Sequence, residues 1–325
     1  MNDFIELALK ENIENFIAEK RLMGYRYRNE EQKLLSFLQY IVDHRYLFPL
    51  SKDVILAWVD DAEGGVSRNH RISVIRQFAL YINRTMSNTP AYVVPAVYRT
   101  ITRKDFCPYI FSKKEILGLF QTAEMYGKYG RVPHSEASFP LILRILYCCG
   151  LRISEVLSLK VKDVDLKNGI LIIRDTKFFK DRCIPMHNNL TERCINYFEN
   201  ALVIADQDEY FFPSGKKHRI KSDTFYQYYR KILHLAGIRN CNASGGPRLH
   251  DIRHTFAVHC LKELNNSGYD MKYVIPILAT YMGHTCYEGP ETYLHLTAEL
   301  YPEILNAVEE KYGAIIPLGG WDDAY

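Results

Sequence analysis

The 325-residue sequence contains no run of about 18 apolar residues, the length a helix needs to cross a bilayer. A membrane span is therefore not expected. None of the eight cysteines (Cys107, Cys148, Cys149, Cys183, Cys194, Cys241, Cys260 and Cys286) forms a Cys-x-x-Cys pair. A chain of this length buries a core without covalent staples, so free, reduced thiols in or near the core are expected. The first residues, Met1 to Glu6, lack the basic cluster and apolar run of a secretory signal. The expectation is a cytoplasmic protein. Internal repeats and low-complexity segments are missing too. Hydrophobic residues make up 47 % and charged residues 24 %, which excludes disorder, collagen and coiled-coil fibre as whole-chain readings. At roughly 100–200 residues per domain, the length implies about two domains.

Acidic residues are absent from one long stretch. Gly64 to Lys104 holds no Asp or Glu, yet it carries Arg68, Arg71, Arg76, Arg84, Arg99, Arg103 and Lys104. Residues 1–104 have a net charge of +3, which is the net charge of the whole chain, so the remainder is balanced. A one-signed stretch is an electrostatic footprint for a polyanion. The alternative is a solvated helix face whose acidic partners lie elsewhere in the fold. Charge alone leaves both open.

The first hundred residues have helical periodicity. Ile5, Leu9, Ile13, Phe16 and Ile17 form one stripe, and Leu34, Phe37, Leu38 and Ile41 a second. Ser51 stands as an N-cap before Val54, Ile55 and Trp58. Gly64-Gly65 breaks the chain, and Ser67 to Asn83 makes a fourth helix through Ile72, Ile75, Phe78, Ala79 and Ile82. Pro90, Pro95 and Pro108 then punctuate a stretch without period, so a linker is placed at about residues 86–110. Ser112 to Glu115 has the spacing of a capping box that opens the second domain. An apolar helix from about Ser138 to Cys149 stops at Gly150, and β-type runs occupy Gly169–Ile173 and Cys183–Pro185. Helices are expected near 188–205, 221–236, 249–264, 271–282 and 297–312. The fold class is mainly α with a small β-sheet. A helical domain spans 1–104 and a mixed α/β domain 105–325.

The second domain carries the chemistry. Gly150-Leu151-Arg152-Ile153-Ser154-Glu155 follows an apolar helix. Thr176-Lys177 falls between the β-type runs, with Lys180 and Arg182 close behind. His250-Asp251-Ile252-Arg253-His254-Thr255 opens a helix, and Gly283-His284 precedes Tyr293. His250 and Arg253 share a helix face at i, i+3. Arg152, Lys177 and Arg253 with two imidazoles would make a pocket of cations. Such a pocket suits a phosphate whose charge grows in a phosphoryl-transfer transition state. Arginine adds bidentate geometry for the non-bridging oxygens. A phenol is a poor nucleophile at neutral pH unless a base or local positive charge assists it.

The ordered set of motifs resembles the tyrosine recombinases, the phage-integrase type of site-specific DNA recombinase, over nearly the whole chain. The resemblance implies a core DNA-binding domain for the helical first part and a catalytic domain for the rest. It implies that Tyr293 attacks the scissile phosphate to give a 3′-phosphotyrosyl link and a free 5′-hydroxyl. Arg152 and Arg253 would hold the non-bridging oxygens and Lys177 would protonate the leaving 5′-oxygen. His250 would serve as general base or acid, His284 would hydrogen-bond the phosphate, and Glu155 would support the site from behind. Neither ATP, a metal nor another cofactor is implied. The implied partner is double-stranded DNA with paired recombination sites, on which a monomer would assemble to a tetramer, with accessory recombination proteins possible partners too. A docking tail after about residue 300 follows from the same resemblance. Two features depart from the usual pattern: a long span from Arg253 to His284, and Gly289-Pro290 just before Tyr293.

Rival readings attach to the same residues. Lys180 is an alternative to Lys177 as the hairpin acid. Arg152 could be a surface ion-pair partner of Glu155. His250 and His254, at i, i+4, have the spacing of a helical zinc pair in a metallohydrolase. A DNA-binding protein of this fold without catalysis is the remaining alternative. Arg68, Arg71 and Arg76 are the expected DNA contacts of the first domain, and Lys216, Lys217 and Arg219 those of a loop in the second. The aromatic run Phe225, Tyr226, Tyr228 and Tyr229 is assigned to helix packing rather than base stacking.

Overall fold

The computed structural model describes residues 2–86, 90–98, 108–174, 181–202, 205–215, 218–238 and 246–283. The chain divides into two compact units, Met1–Phe106 and Cys107–Tyr325.

The first unit is built from α1 (Asn2–Leu22), α2 (Arg28–His44), α3 (Lys52–Asp60) and α4 (Gly65–Thr85). Each helix turns its apolar stripe inward. Leu9, Ile13, Phe16, Leu34, Phe37, Trp58, Ile75 and Phe78 are buried in one core. Phe37 meets Trp58 edge-on at 5.0 Å, and Phe16 lies 5.5 Å from Phe78. Burial of each such side chain stabilises the unit by roughly 1.5–3 kcal/mol. Ser51 takes the N-cap position of α3 with extended backbone, but its hydroxyl makes no cap hydrogen bond.

Residues 90–95 are more ordered than their prolines suggest. Ala91 and Val94 are buried in the same core. Tyr92 donates its N–H to the Leu50 carbonyl at 2.9 Å, and Asn83 exchanges two hydrogen bonds with Ala91. Residues 90–95 thus pack on the first unit, inside the stretch expected to be linker. An extended strap has no helical period, so its burial leaves no periodic trace.

The second unit begins with α5 (Lys113–Tyr126), opened by the expected capping box: Ser112 Oγ accepts from Glu115 N–H, and the Glu115 carboxylate accepts from Ser112 N–H. Next comes α6 (Ser135–Cys148), which starts three residues earlier than expected and carries Pro140 near its first turns. The four-residue α7 (Ile153–Val156) follows. A three-stranded antiparallel sheet is formed by β1 (Val164–Asp165), β2 (Ile170–Ile173) and β3 (Arg182–Pro185). Leu171 pairs with Ile184 and Ile173 with Arg182. Then come α8 (Asn188–Ala201), the small hairpin β4 (Pro213–Gly215) and β5 (His218–Arg219), and α9 (Ser222–Leu235). The unit closes, among the described residues, with α10 (Asp251–Asn266) and α11 (Met271–Met282). Its core gathers Phe139, Ile142, Leu171, Ile184, Phe211, Phe225, Tyr228 and Ile252. Phe225, Tyr228 and Tyr229 lie inside it, as packing residues do. The helix expected at 297–312 falls outside the described residues. No described helix is long and apolar enough to cross a membrane.

Candidate active site

The turn after α6 sets the geometry. Gly150 adopts φ +59°, and a Cβ there would stand 2.3 Å from Phe256 of α10. Only glycine lets this turn pass so close to α10. The chain then runs through buried Leu151 to Arg152, the residue that caps α7. Only one half of a capping box forms, since an arginine side chain has no acceptor. Glu155 Oε2 accepts the Arg152 backbone N–H at 2.8 Å, while Oε1 receives Arg152 Nη1 at 3.0 Å. Arg152 Nη2 reaches the Gly283 carbonyl at 3.4 Å. The Arg152 side chain keeps 37 % exposure, while Glu155 keeps 10 %.

Arg253, on the first turns of α10, is 2 % exposed. Its Nη1 donates to the Gly150 carbonyl at 2.6 Å and its Nη2 to the Met282 carbonyl. Its Nη1 stands 4.0 Å from Glu155 Oε2. A buried guanidinium is costly unless it is paired and hydrogen-bonded, and this one is both. Burial alone pushes the Glu155 carboxyl up. Hydrogen bonds from Arg182 and the Arg152 backbone, with the two guanidinium charges, outweigh that and hold it below the usual carboxylate range.

His250 is the residue just before α10, and its ring lies edge-on to that of His254 at 4.8 Å. His250 is exposed, with the cations of Arg253, Arg152 and Arg248 close by. Its pKa falls to about 4, through loss of hydration first, then through the charges of Arg253, Arg152 and Arg248. The imidazole is therefore neutral at pH 7 and able to accept a proton. Asp251, only 2 % exposed, accepts from the Arg248 backbone N–H at 2.8 Å and fixes the start of α10.

The structure thus brings Arg152, Glu155, His250 and Arg253 together. It adds Arg182, whose Nη2 donates to Glu155 Oε2 at 2.9 Å and which sequence reasoning noted without giving it a role. Its signal was available: Arg182 shares a strand face with Ile184, where an apolar residue would be expected. Lys177, Lys180, His284 and Tyr293 lie outside the described residues, as do Lys216 and Lys217. Among the described residues no group of three or more His, Cys, Asp or Glu is placed to hold a metal ion.

The expected DNA contacts have defined positions. Arg219 on β5 is exposed, donates to Ser158 Oγ and lines an open cavity of about 490 Å³ with Tyr210, Ser214, His218 and Lys221. Arg68 pairs with Asp60 at 2.9 Å and donates to the Tyr98 carbonyl. Arg71 stacks over Trp58 at 4.9 Å, donates to the Trp58 carbonyl and pairs with Asp61 at 3.3 Å. Arg76 donates to the Val94 carbonyl at 2.5 Å. The acids that pair with Arg68 and Arg71 come from the end of α3 and the turn after it, while Arg84 farther along α4 pairs with Glu19 of α1.

A buried arginine on a helix start and a half-exposed arginine after a glycine turn thus gather around Glu155, with the His250 imidazole near enough to feel both charges. Residues 111–299 match the model of the phage integrase family. The protein y4rB of Sinorhizobium fredii, named as an integrase/recombinase, is 27 % identical over 311 residues, spanning 94 % of this chain and 98 % of that protein. The tyrosine recombinase XerD of Proteus mirabilis is 30 % identical over 161 residues, 49 % of this chain and 47 % of that one. Among solved structures, the XerH site-specific recombinase bound to difH substrate gives a TM-score of 0.60 at 17 % identity, covering 83 % of this chain and 77 % of that one. The Tn1549 transposon integrase in complex with transposon right end DNA gives 0.58 at 16 %, covering 93 % and 99 %. At these identities the structures speak for the fold. The chain belongs to the phage integrase family, the family of the tyrosine recombinases.

Proposed function

We propose that this chain is a site-specific DNA recombinase that cuts and rejoins strands through a 3′-phosphotyrosyl intermediate on Tyr293. The observation that carries the reading is the pair Arg152 and Arg253, held on either side of Glu155 beside a neutral His250. Two guanidinium groups at fixed positions suit the two non-bridging oxygens of a phosphodiester. The phenol oxygen of Tyr293 bonds to phosphorus as the bond to the 5′-oxygen breaks. His250 takes the phenolic proton, Lys177 delivers one to the departing 5′-oxygen, and His284 hydrogen-bonds the phosphate. Each phosphodiester is exchanged for a phosphotyrosyl ester of similar energy, so the reaction runs without ATP. The charge that a metal would supply comes from the arginines and Lys177. The substrate is double-stranded DNA with paired sites, on which copies of the chain assemble, with or without accessory proteins. The first unit and the loop carrying Lys216, Lys217 and Arg219 supply phosphate contacts.

A nicked suicide duplex tests this directly. The wild-type protein should form a covalent adduct on a denaturing gel, equally in EDTA and in magnesium buffer. Tyr293→Phe should bind the same duplex and form none. An adduct in the Tyr293→Phe protein removes Tyr293 from the mechanism. A strict magnesium or zinc requirement replaces the arginine mechanism with a metal one.

A further inference from the structure

One more side chain converges on the carboxylate of Glu155. Arg182 opens β3, opposite Ile173 and on the same face as buried Ile184. Its side chain is 13 % exposed, and a guanidinium so placed needs a compensating charge. Glu155 supplies it through the 2.9 Å bond from Nη2. The remaining donors of the fork, Nε and Nη1, are buried and have no hydrogen-bond partner among the described residues. They lie against Gly283, the residue that caps α11 with φ +69°. A Cβ at Gly283 would stand 3.0 Å from Arg182 Nη1 and 3.3 Å from its Cζ. The same Gly283 offers its carbonyl to Arg152 Nη2. Arg182 therefore joins three pieces: the base of the β2–β3 hairpin, Glu155 on α7 and the end of α11.

We propose that Arg182 is a positioning residue for strand cleavage, acting through Glu155 to hold the Arg152 guanidinium in place. This rests on the recombinase reading above. Glu155 faces Arg152 beside α7, Arg182 from β3, and Arg253 and His250 from the start of α10. Without Arg182, its carboxylate has only Arg152 and Arg253 to pair with. It then draws on the two groups that a phosphate would need. With Arg182 three guanidinium groups surround one carboxylate, so the cluster gains positive charge beyond that of Arg152 and Arg253.

The test uses the full chain and a duplex that the wild-type protein selects from random-sequence DNA, nicked to trap the adduct. Arg182→Ala should slow single-turnover adduct formation by about 10–100-fold, the scale of a small misplacement, with DNA affinity kept. Arg182→Lys keeps the charge and loses the fork, and should fall between. Glu155→Gln combined with Arg182→Ala should be no slower than the slower single variant, because both act through one carboxylate. Loss of Arg182 also removes a bond that favours ionised Glu155. The acid limb of the rate should therefore move to higher pH in Arg182→Ala, and Glu155→Gln should erase the move. Wild-type rates in Arg182→Ala, multiplying losses in the double variant, or an unmoved acid limb overturn the proposal. Should Arg182→Ala fail to fold, Arg182→Lys decides: slowed cleavage with intact binding supports the role, and a wild-type rate overturns it. No adduct from the wild-type protein overturns the recombinase reading, and this proposal with it.

Discussion

His250 shows how one residue's environment fixes its chemistry. An ordinary histidine is half protonated near pH 6.5, which would divide the base between two forms at neutral pH. Crowding and three nearby guanidinium groups bring this one to about 4. NMR titration of the His250 ring should therefore give a midpoint near 4 in the free protein, and a midpoint near 6.5 refutes the picture. The linkage sign follows. Between about pH 6.5 and 4 the unfolded chain takes up the proton and the folded one does not. His250 thus subtracts from stability progressively as pH falls through that window, and His250→Gln should flatten this part of the pH–stability curve. The site was partly legible at this scale. Arg152, Glu155, His250 and Arg253 sit in short motifs that are weak singly and informative only as an ordered set that resembles a known family. Arg182 carries no motif, and its meaning depends on a strand register and on a glycine a hundred residues away.

At the scale of elements, the sequence speaks through periodicity, and it is silent where elements are short. The helices of both units follow their apolar stripes to within a few residues. The four-residue α7, the two-residue β1 and the β4–β5 hairpin are too short for any period to show. The acid-free stretch is a different case. Arg68, Arg71 and Arg76 are expected to meet DNA, and the fold gives each a partner within the first unit. Asp60 and Asp61 precede the stretch in sequence and return to it in space. Arg71 has the most to lose, since it stacks on Trp58 and bonds to a carbonyl at once. Arg71→Ala should cost about 1–2 kcal/mol in urea unfolding, from the lost stacking and hydrogen bond. A phosphate contact would instead lower the salt slope of DNA binding by about 0.9 per arginine removed. Unchanged stability with a lowered slope would assign Arg71 to DNA.

At the scale of the whole molecule, charge and apolar residues are distributed unevenly along the sequence. The excess positive charge belongs to residues 1–104, while residues 105–325 as a whole are balanced. Past Tyr293 the sequence continues with Leu294, Leu296, Leu300, Ile304, Leu305 and Val308 at helical spacing, and then carries Ile315, Ile316, Leu318 and Trp321. These residues lie outside the described part of the chain. A segment this apolar needs a surface to cover it, either in its own catalytic domain or in the next copy on DNA. A tail that docks on a neighbour would couple active sites across paired sites while leaving a single bound copy unaffected. We expect docking on the neighbour, with a monomer in free solution. Truncation after Gly313 should then retain single-site binding in a gel-shift titration and lose cooperative occupancy of the paired site. Cooperative binding by the truncated chain removes the tail from assembly. Insolubility, or a fall in melting temperature without DNA, returns the tail to its own core.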